Sequence, residues 1–203
     1  MKYLLLDMAQ QSNSGDDIMQ RTLFNFFRKK GEIVSSSYFG VNEFSVFEEE
    51  FSNYTSLYET KVVGGVFNTR YKAFLTCNNY IALKFTRTVV RLLDIAYMLF
   101  ILALVTLAIP DVILKLLMGK RRFNILKLYR SSDIVIWNGR NFRGGESFLS
   151  EFAKVFELCA NPLLCLALRK PIYCVGGSVW PLKGVLSKYV LRKILLGCKR
   201  VWV

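Results

Sequence analysis

The chain contains no histidine among its 203 residues. This absence excludes histidine-ligated metal sites, Ser-His-Asp and Cys-His nucleophile systems, and acid–base catalysis by histidine within the chain. The sequence also lacks the G-x-G-x-x-G and G-x-x-x-x-G-K-[S/T] patterns, so it does not predict a nicotinamide, flavin or P-loop nucleotide site. No metal-ligand constellation is visible, and we expect neither a metal nor a cofactor.

The five cysteines show no C-x-x-C spacing, and most of them lie in apolar runs. This pattern is typical of buried, reduced thiols in a cytoplasmic protein. The apolar run Tyr3–Leu6 is too short for a signal peptide and ends at Asp7. We therefore expect a cytoplasmic location.

Acidic residues are scarce after the first 83 positions. Residues 1–83 carry 8 Lys/Arg and 9 Asp/Glu, whereas residues 84–203 carry 20 Lys/Arg and 6 Asp/Glu. Such an excess of positive charge favours anionic small molecules or an anionic membrane surface as partners. Exposed aromatic platforms and a recognition helix are not evident, so we expect no nucleic-acid partner.

Apolar residues make up 53% of the chain, and strand-like runs alternate with helical patterns. Helical spacing over 16–30 separates two strand-like runs, 2–8 and 32–39, and a further short strand is predicted near 61–67. Later strands (133–137, 170–176, 199–203) alternate with helices (146–168, 184–196). This alternation predicts an α/β fold, a Rossmann-like parallel sheet with helices on both faces.

A hydrophobic and basic helical segment, 84–122, interrupts this alternation and is expected to be an insertion. Its core, Ile95–Pro110, has 16 residues without a charge. As a helix it would span roughly 24 Å, less than the roughly 30 Å hydrocarbon core of a bilayer. Pro110 would also end or kink it. Three alternatives stay open: a helix packed within the protein, a helix or hairpin lying on a membrane surface through 95–110, and a membrane span.

Three glycine-containing loops follow predicted strands: 9–17, 138–145 and 176–183. In a doubly wound sheet, ligands bind beyond the carboxyl ends of the strands, where such loops lie. Each loop also leads into a predicted helix, whose N-terminal N–H groups can hold an anion.

Together the three loop regions resemble the polysaccharide pyruvyl transferase family. The segment Asn13–Ile18, N-S-G-D-D-I, is similar to the family's N-x-G-D-[D/E]-x opening. Ser132–Ile136 followed by Asn138–Arg140 resembles its aspartate, buried strand and glycine-rich turn. Lys170–Gly176, with Pro181 and Leu182 after it, resembles its K-P, strand and G-x-G-x-G-P-L segment.

The chain departs from the family pattern at two of these loops. Only the middle residue of the usual triple glycine is kept, as Gly139, and Ser178 and Trp180 stand where glycines are expected. These departures indicate either an altered substrate or a decayed site.

The resemblance implies a GT-B-like enzyme of two Rossmann-type lobes. Such an enzyme transfers a pyruvyl group from phosphoenolpyruvate to a sugar hydroxyl of a cell-surface polysaccharide or its lipid-linked precursor. Residues 1–203 would form the N-terminal lobe, with the C-terminal lobe absent or separately encoded. Because the family's basic and histidine-containing motifs belong mainly to that second lobe, the isolated chain is expected to be inactive.

The resemblance places substrate-binding residues in the three loops but assigns no catalytic residue. Asp16 is expected either to bind sugar hydroxyls or to favour the helix N-terminus. Arg140 or Arg143 would bind a substrate anion or remain a solvated charge, and Trp180 would stack on a sugar or pack against the next helix. The full predicted set is Asn13, Gly15, Asp16, Asp17, Asn138, Gly139, Arg140, Asn141, Arg143, Gly176, Gly177, Ser178 and Trp180.

Two other functions remain open from the sequence. A GT-B glycosyltransferase lobe would share the architecture but use a nucleotide sugar in place of phosphoenolpyruvate. A truncated, non-catalytic homologue would instead bind glycan, membrane or a partner lobe.

Overall fold

A computed structural model describes residues 1–8, 14–40, 61–67, 80–138, 141–142, 147–179 and 181–202 of the chain. Within these ranges it contains a six-stranded, all-parallel sheet, a two-stranded parallel pair and five helices. The predicted α/β fold with a Rossmann-like parallel sheet is confirmed.

The elements follow one another as strands and helices in alternation, apart from one helical pair in the middle. The strands are β1 (Lys2–Met8), β2 (Glu32–Gly40), β3 (Lys61–Gly65), β4 (Ile134–Asn138), β5 (Asn141–Phe142), β6 (Ile172–Val175), β7 (Ser178–Val179) and β8 (Arg200–Trp202). The helices are α1 (Ser14–Arg28), α2 (Tyr80–Thr106), α3 (Asp111–Ser131), α4 (Phe148–Ala167) and α5 (Val185–Gly197).

The strand order of the large sheet is β3-β2-β1-β4-β6-β8. Numbered along the chain, its six strands therefore lie in the order 3-2-1-4-5-6, which is the doubly wound Rossmann arrangement. The direction of winding reverses between β1 and β4, which pair directly with Leu6 opposite Trp137. This reversal is the topological switch point, where folds of this kind open a crevice for ligands.

Side-chain alternation along β1 divides the interior into two cores. Leu5 packs with Leu23 and Phe24 of α1, whereas Leu4 and Leu6 belong to the larger core formed with α2, α3, α4 and α5. Successive residues of a strand face opposite sides of the sheet, so the run of three leucines fills both cores. The helices therefore lie on both faces of the sheet, as predicted.

On the α1 side, an apolar groove of about 410 Å³ extends beyond the helix across the strands. Its lining includes Phe26 and Phe27 from α1, and Tyr173 of β6 stacks on Trp202 of β8 at a ring-centroid distance of 6.1 Å. The α1 side of the sheet is thus less completely covered at β6 and β8 than at β1.

Residues 84–122 form most of the helical connection from β3 to β4. Met98, Ile101 and Leu114 are almost fully buried within the larger core, and Arg91 of α2 makes a two-pronged ion pair with Glu157 of α4 at 2.6 and 2.7 Å. Helix α2 ends at Thr106, and Pro110 caps the start of α3, as its inability to continue a helix predicts. One side of this segment therefore packs within the protein.

None of the helices in the described ranges is both long enough and apolar enough to cross a membrane.

Candidate functional site

The three predicted loops begin at neighbouring strand ends. Leu6 of β1 lies opposite Trp137 of β4, and Asn138 of β4 lies opposite Val175 of β6. All three strands are parallel, so their carboxyl ends meet at one edge of the sheet. The segments that follow them are far apart in the sequence, but they start from neighbouring strands at the switch point.

The second and third loops also pair with each other. Their backbones form the small parallel ladder in which Asn141 of β5 lies opposite Ser178 of β7, and Phe142 opposite Val179. Phe142 is buried and meets the Trp137 ring edge-on at a centroid distance of 5.9 Å. This packing anchors the second loop to the end of β4.

The third loop lies against α1, the helix that follows the first loop. Gly176 and Gly177 adopt positive φ angles of 75° and 102°, which favour glycine. A Cβ atom on Gly176 would lie 2.8 Å from Sδ of Met19 in α1. The glycine therefore allows both the left-handed turn and the close approach of α1 to this loop.

The predicted site residues occupy different positions within this arrangement. Asn138 is buried at the end of β4, Asn141 begins β5, and Ser178 is exposed in β7. Gly15, Asp16 and Asp17 lie in the first turn of α1. Negatively charged residues at this end of a helix stabilise it through its dipole. Five of the predicted residues lie outside the described residues: Asn13, Gly139, Arg140, Arg143 and Trp180.

Asp7 is a buried carboxylate at the switch point that the sequence analysis did not include in the site. It is 1% exposed and has a φ of 57°, in the left-handed region. The β1–β2 register shifts at this point, because Leu5 pairs with Ser35 and Met8 with Ser37. Three steps along β1 thus match two along β2, the one-residue excess of a β-bulge. Simple alternation would put Asp7 on the α1 side with Leu5, but its contacts lie on the other side.

These contacts join three elements through one carboxylate. Oδ2 of Asp7 accepts a hydrogen bond from Nε1 of Trp137 at 2.9 Å, and Oδ1 accepts one from Nδ2 of Asn161 in α4 at 3.0 Å. Each oxygen thus accepts a hydrogen bond from a buried side chain. The arrangement fixes the carboxyl ends of β1 and β4 against α4.

Two buried amide oxygens lie near this carboxylate in the fold. Oδ1 of Asn138 and Oδ1 of Asn161 have no hydrogen-bond partner among the described residues, and their residues are 2% and 5% exposed. Most buried polar groups in proteins are hydrogen-bonded, so unpaired acceptors of this kind deserve an explanation. Asn138 ends the strand that leads into the second loop, where a bound hydroxyl or water would satisfy it.

Asp7 could have been recognised from two sequence signals. A carboxylate inside the apolar run of β1 requires a buried hydrogen-bond donor as its partner. Asn161 and Trp137 carry such donors and lie among apolar residues of the sequence, which indicates that they are buried. Neither signal identifies which residues pair. The bulge that turns Asp7 towards Trp137 has no pattern in the sequence.

Several titratable groups in the larger core are held in their neutral forms. Burial raises the pKa of Tyr129 well above its usual value, and the charge of Asp7 adds to this effect. The Tyr129 hydroxyl shares a hydrogen bond of 2.5 Å with Ser36 of β2. Burial, and then the charge of Asp7, likewise raises the pKa of Cys159 and of Cys165.

The remaining described cysteines are also poor nucleophiles. Burial raises the pKa of Cys174 to about 12 and that of Cys198 to about 11. All four thiols are free. Because the thiolate is the reactive form, none of these four suits nucleophilic catalysis at neutral pH.

The N-terminus of α5, after the third loop, is already occupied by a carboxylate of the protein. Glu151 of α4 is 1% exposed, and its two oxygens accept hydrogen bonds from N–H of Lys183 at 3.0 Å and N–H of Gly184 at 2.7 Å. Its negative charge opposes a second anion at this position. Glu151 therefore disfavours a bound anion at the start of α5, and anion binding by the third loop stays a prediction.

Helix α4, which follows the second loop, is capped by the side chain of Ser147. Oγ of Ser147 accepts a hydrogen bond from N–H of Ser150 at 3.2 Å. This is an ordinary N-cap, which satisfies one of the four free donors at a helix start.

A groove of about 430 Å³ borders the third loop on the side of α5. Its lining is mainly aliphatic, including Leu182, Leu191 and Leu195, and its two charged members are Lys188 and Arg192. Its composition suits an apolar segment better than a sugar, whose hydroxyls require polar partners.

The part of the chain that the structure describes contains no cluster of three or more His, Cys, Asp or Glu residues suited to a metal ion. The polar groups gathered at the switch point are instead amides, a carboxylate, a hydroxyl and backbone groups. Such groups bind hydroxyl-rich ligands by hydrogen bonding.

Comparison with known proteins does not assign the chain to a family: no family model matched it, and neither the curated proteins nor the solved structures gave a match.

Proposed function

We propose that this chain is the acceptor-binding lobe of a GT-B-like transferase, which moves a pyruvyl group from phosphoenolpyruvate to a cell-surface polysaccharide or its lipid-linked precursor. The observation that carries the proposal is the meeting of the three motif-bearing segments at one sheet edge. The ends of β1, β4 and β6 pair through Leu6–Trp137 and Asn138–Val175. Motifs that resemble one family and also share one site support a common function better than isolated motifs do.

The assignment to the acceptor side rests on the chemistry of this edge. Phosphoenolpyruvate carries a phosphate and a carboxylate, so its site needs cationic or N–H donors. The helix N-terminus after the third loop is occupied by Glu151, which disfavours an anion there. Oδ1 of Asn138, which has no hydrogen-bond partner among the described residues, suits a sugar hydroxyl instead. Under this proposal, a second lobe supplies most of the contacts to the donor substrate, phosphoenolpyruvate.

Binding of saccharides and of phosphoenolpyruvate to the purified chain tests the proposal. Saturation-transfer NMR with a panel of short oligosaccharides should detect saturable binding, and calorimetry should detect little or no binding of phosphoenolpyruvate. The substitution Ser178→Tyr places a bulky ring on the exposed third loop and should weaken saccharide binding by about tenfold or more, equivalent to about 1.4 kcal/mol. The matched control is Ser131→Tyr, at an exposed position at the end of α3.

The donor arm of the test uses Arg140→Ala, with Lys29→Ala as a control for the loss of one positive charge. Lys29 is exposed in the turn between α1 and β2, at the opposite, amino-terminal edge of the sheet. Saturable binding of phosphoenolpyruvate that weakens only in Arg140→Ala would support pyruvyl transfer but would overturn the assignment of this lobe to the acceptor side alone. Binding of a nucleotide sugar in its place would overturn the proposal in favour of a glycosyltransferase. Folded protein that binds neither saccharide nor phosphoenolpyruvate would also overturn it.

A further inference from the structure

The end of α2, the turn that follows it and the first half of α3 expose apolar side chains on the side that faces away from the core. We call these residues the apolar tip. Their exposed fractions range from 42% at Leu117 to 82% at Leu116, with Val112 at 80% and Leu107 at 71%. The full set is Leu99, Phe100, Leu107, Val112, Ile113, Leu116 and Leu117.

The apolar tip is not the core-facing side of its helices. In α2, Met98, Ile101 and Val105 are buried, while Leu99 and Phe100 between them are about half exposed. In α3, Leu114 and Met118 are buried on the side opposite to Val112 and Leu116. A helix on the surface of a globular protein normally presents a polar side to water, but here both sides are apolar.

The second half of α3, unlike the first, shows the ordinary distribution of buried apolar and exposed polar side chains. After Gly119, whose φ of 77° interrupts the helix, the exposed positions are all polar or charged: Lys120, Arg121, Asn124, Lys127 and Ser131. Phe123 and Leu126 remain buried. The same helix therefore changes from an apolar to a cationic outer side at a backbone kink.

The tip has a defined shape because its turn is hydrogen-bonded. The N–H of Ile109 donates to the carbonyl of Leu104 at 3.1 Å, and the N–H of Ile113 donates to the carbonyl of Pro110 at 3.0 Å. Ala108 adopts a left-handed φ of 54°, which reverses the chain after α2. The exposed apolar residues are thus held on the outside of a structured turn.

The charges near the tip are almost all positive. Residues 95–131 contain six Lys/Arg and a single acidic residue, Asp111, which forms an ion pair with Arg130. Lys115, Lys120 and Arg121 are exposed beside the apolar side chains. Exposed apolar residues with adjacent cations are the combination that binds the interface of an anionic bilayer.

From this combination we infer that the apolar tip inserts into the interface of an anionic lipid membrane, without crossing it. Leu107, Val112 and Leu116 enter the acyl boundary, to a depth of about 5–10 Å, while Lys120 and Arg121 contact the lipid headgroups. Pairing of two tips in a second copy of the chain is opposed by their shared positive charge. The inference does not depend on the reaction that the chain serves.

Co-sedimentation with lipid vesicles tests the inference. The purified chain should bind vesicles of phosphatidylcholine with 30% phosphatidylglycerol, and bind pure phosphatidylcholine vesicles much less. Replacing Lys120 and Arg121 by Gln should weaken binding by about fivefold for each charge, which corresponds to about 1 kcal/mol per charge. The control for charge is Lys29→Gln with Lys193→Gln, two exposed lysines elsewhere.

The double variant Leu107→Gln/Leu116→Gln tests the apolar part and should reduce binding at least tenfold. Its matched control is Val185→Gln/Leu196→Gln, which changes two residues of α5 with similar exposure, 76% and 75%. Circular dichroism checks that each variant is folded. The inference is overturned if folded wild-type protein fails to bind the anionic vesicles, or if Leu107→Gln/Leu116→Gln binds them as well as wild type. It is equally overturned if light scattering shows a wild-type dimer that this variant dissociates, because the tip would then be a protein interface.

Discussion

The switch point and the apolar tip depart in opposite ways from the usual distribution of side chains. At the switch point, polar groups are buried: Asp7, Asn138 and Asn161 are each at most 5% exposed. At the tip, leucines such as Leu107 and Leu116 are more than 70% exposed. Both arrangements carry a free-energy cost for an isolated protein in water.

The two regions differ in whether this free-energy cost is compensated within the protein. The difference indicates which region contributes to stability and which contributes to binding. The carboxylate of Asp7 is paired with Trp137 and Asn161, so its burial is compensated inside the protein. The tip has no comparable compensation in the described residues, because its leucines remain exposed. A region stabilised internally should be sensitive to substitution in stability, whereas a region that awaits a partner should be sensitive only in binding.

Among substitutions of polar residues, the largest stability effect is expected for Asp7→Ala. This change removes the acceptor of two buried donors, Nε1 of Trp137 and Nδ2 of Asn161, and each unpaired donor costs about 1–3 kcal/mol. Alanine also tolerates the left-handed backbone conformation at position 7 less well than aspartate does. We expect a loss of about 3 kcal/mol in the free energy of unfolding, measured by urea denaturation.

The control for Asp7→Ala is Asp133→Ala. Asp133 also accepts a hydrogen bond, from N–H of Lys2 at 2.7 Å, but it is exposed beside the start of β4. Its loss should be about 0.5 kcal/mol, as is usual for surface substitutions. Equal losses from the two substitutions would show that the buried hydrogen bonds of Asp7 contribute no more to the free energy of unfolding than a surface hydrogen bond does. The switch point would then not be a region stabilised by its buried polar groups.

An intermediate effect is expected for Glu151→Gln. The carboxylate accepts hydrogen bonds from two backbone N–H groups, whereas the amide has one oxygen, and its NH₂ group would face a donor. The negative charge at the N-terminus of α5 is also lost, so we expect destabilisation of about 1–2 kcal/mol. The control is Glu32→Gln, since Glu32 is 65% exposed and pairs with Lys2 at the surface.

Glu151→Gln also tests whether the third loop can bind an anion. Removing the carboxylate charge should allow phosphate to bind weakly near Gly184, which calorimetry of the variant and wild type would detect. Destabilisation of less than about 0.5 kcal/mol would mean that Glu151 does not hold α5 in place.

The sequence predicts the regular elements well, because their patterns are local. The strand predicted at 133–137 is Ile134–Asn138, and the helix predicted at 184–196 is Val185–Gly197. The convergence of the three loops was also predictable, since parallel strands bring their carboxyl ends to one edge. Continuous apolar runs and helical spacing are sufficient for both conclusions.

The features that the sequence did not predict arise from longer-range contacts. The β5–β7 ladder has two residues in each strand, too few for any alternation to be visible. The bulge at Asp7 and the capping of α5 by Glu151 join positions far apart in the chain. In the segment 95–118 both helix sides are apolar, so periodicity could identify a helix but not which side faces the core.

The smallest stability effect is expected for Leu116→Gln, at the apolar end of the comparison. Because Leu116 is 82% exposed, little of its apolar surface is removed from water on folding, and the substitution should change the free energy of unfolding by less than about 0.5 kcal/mol. Leu114→Ala, two positions earlier on the buried side of α3, should cost about 2–5 kcal/mol in the same urea titration. If Leu116→Gln were instead as destabilising as Leu114→Ala, the tip would be part of the folded core. If it leaves stability unchanged but abolishes vesicle binding, the cost of exposing these leucines in water is offset by a membrane and not by the fold.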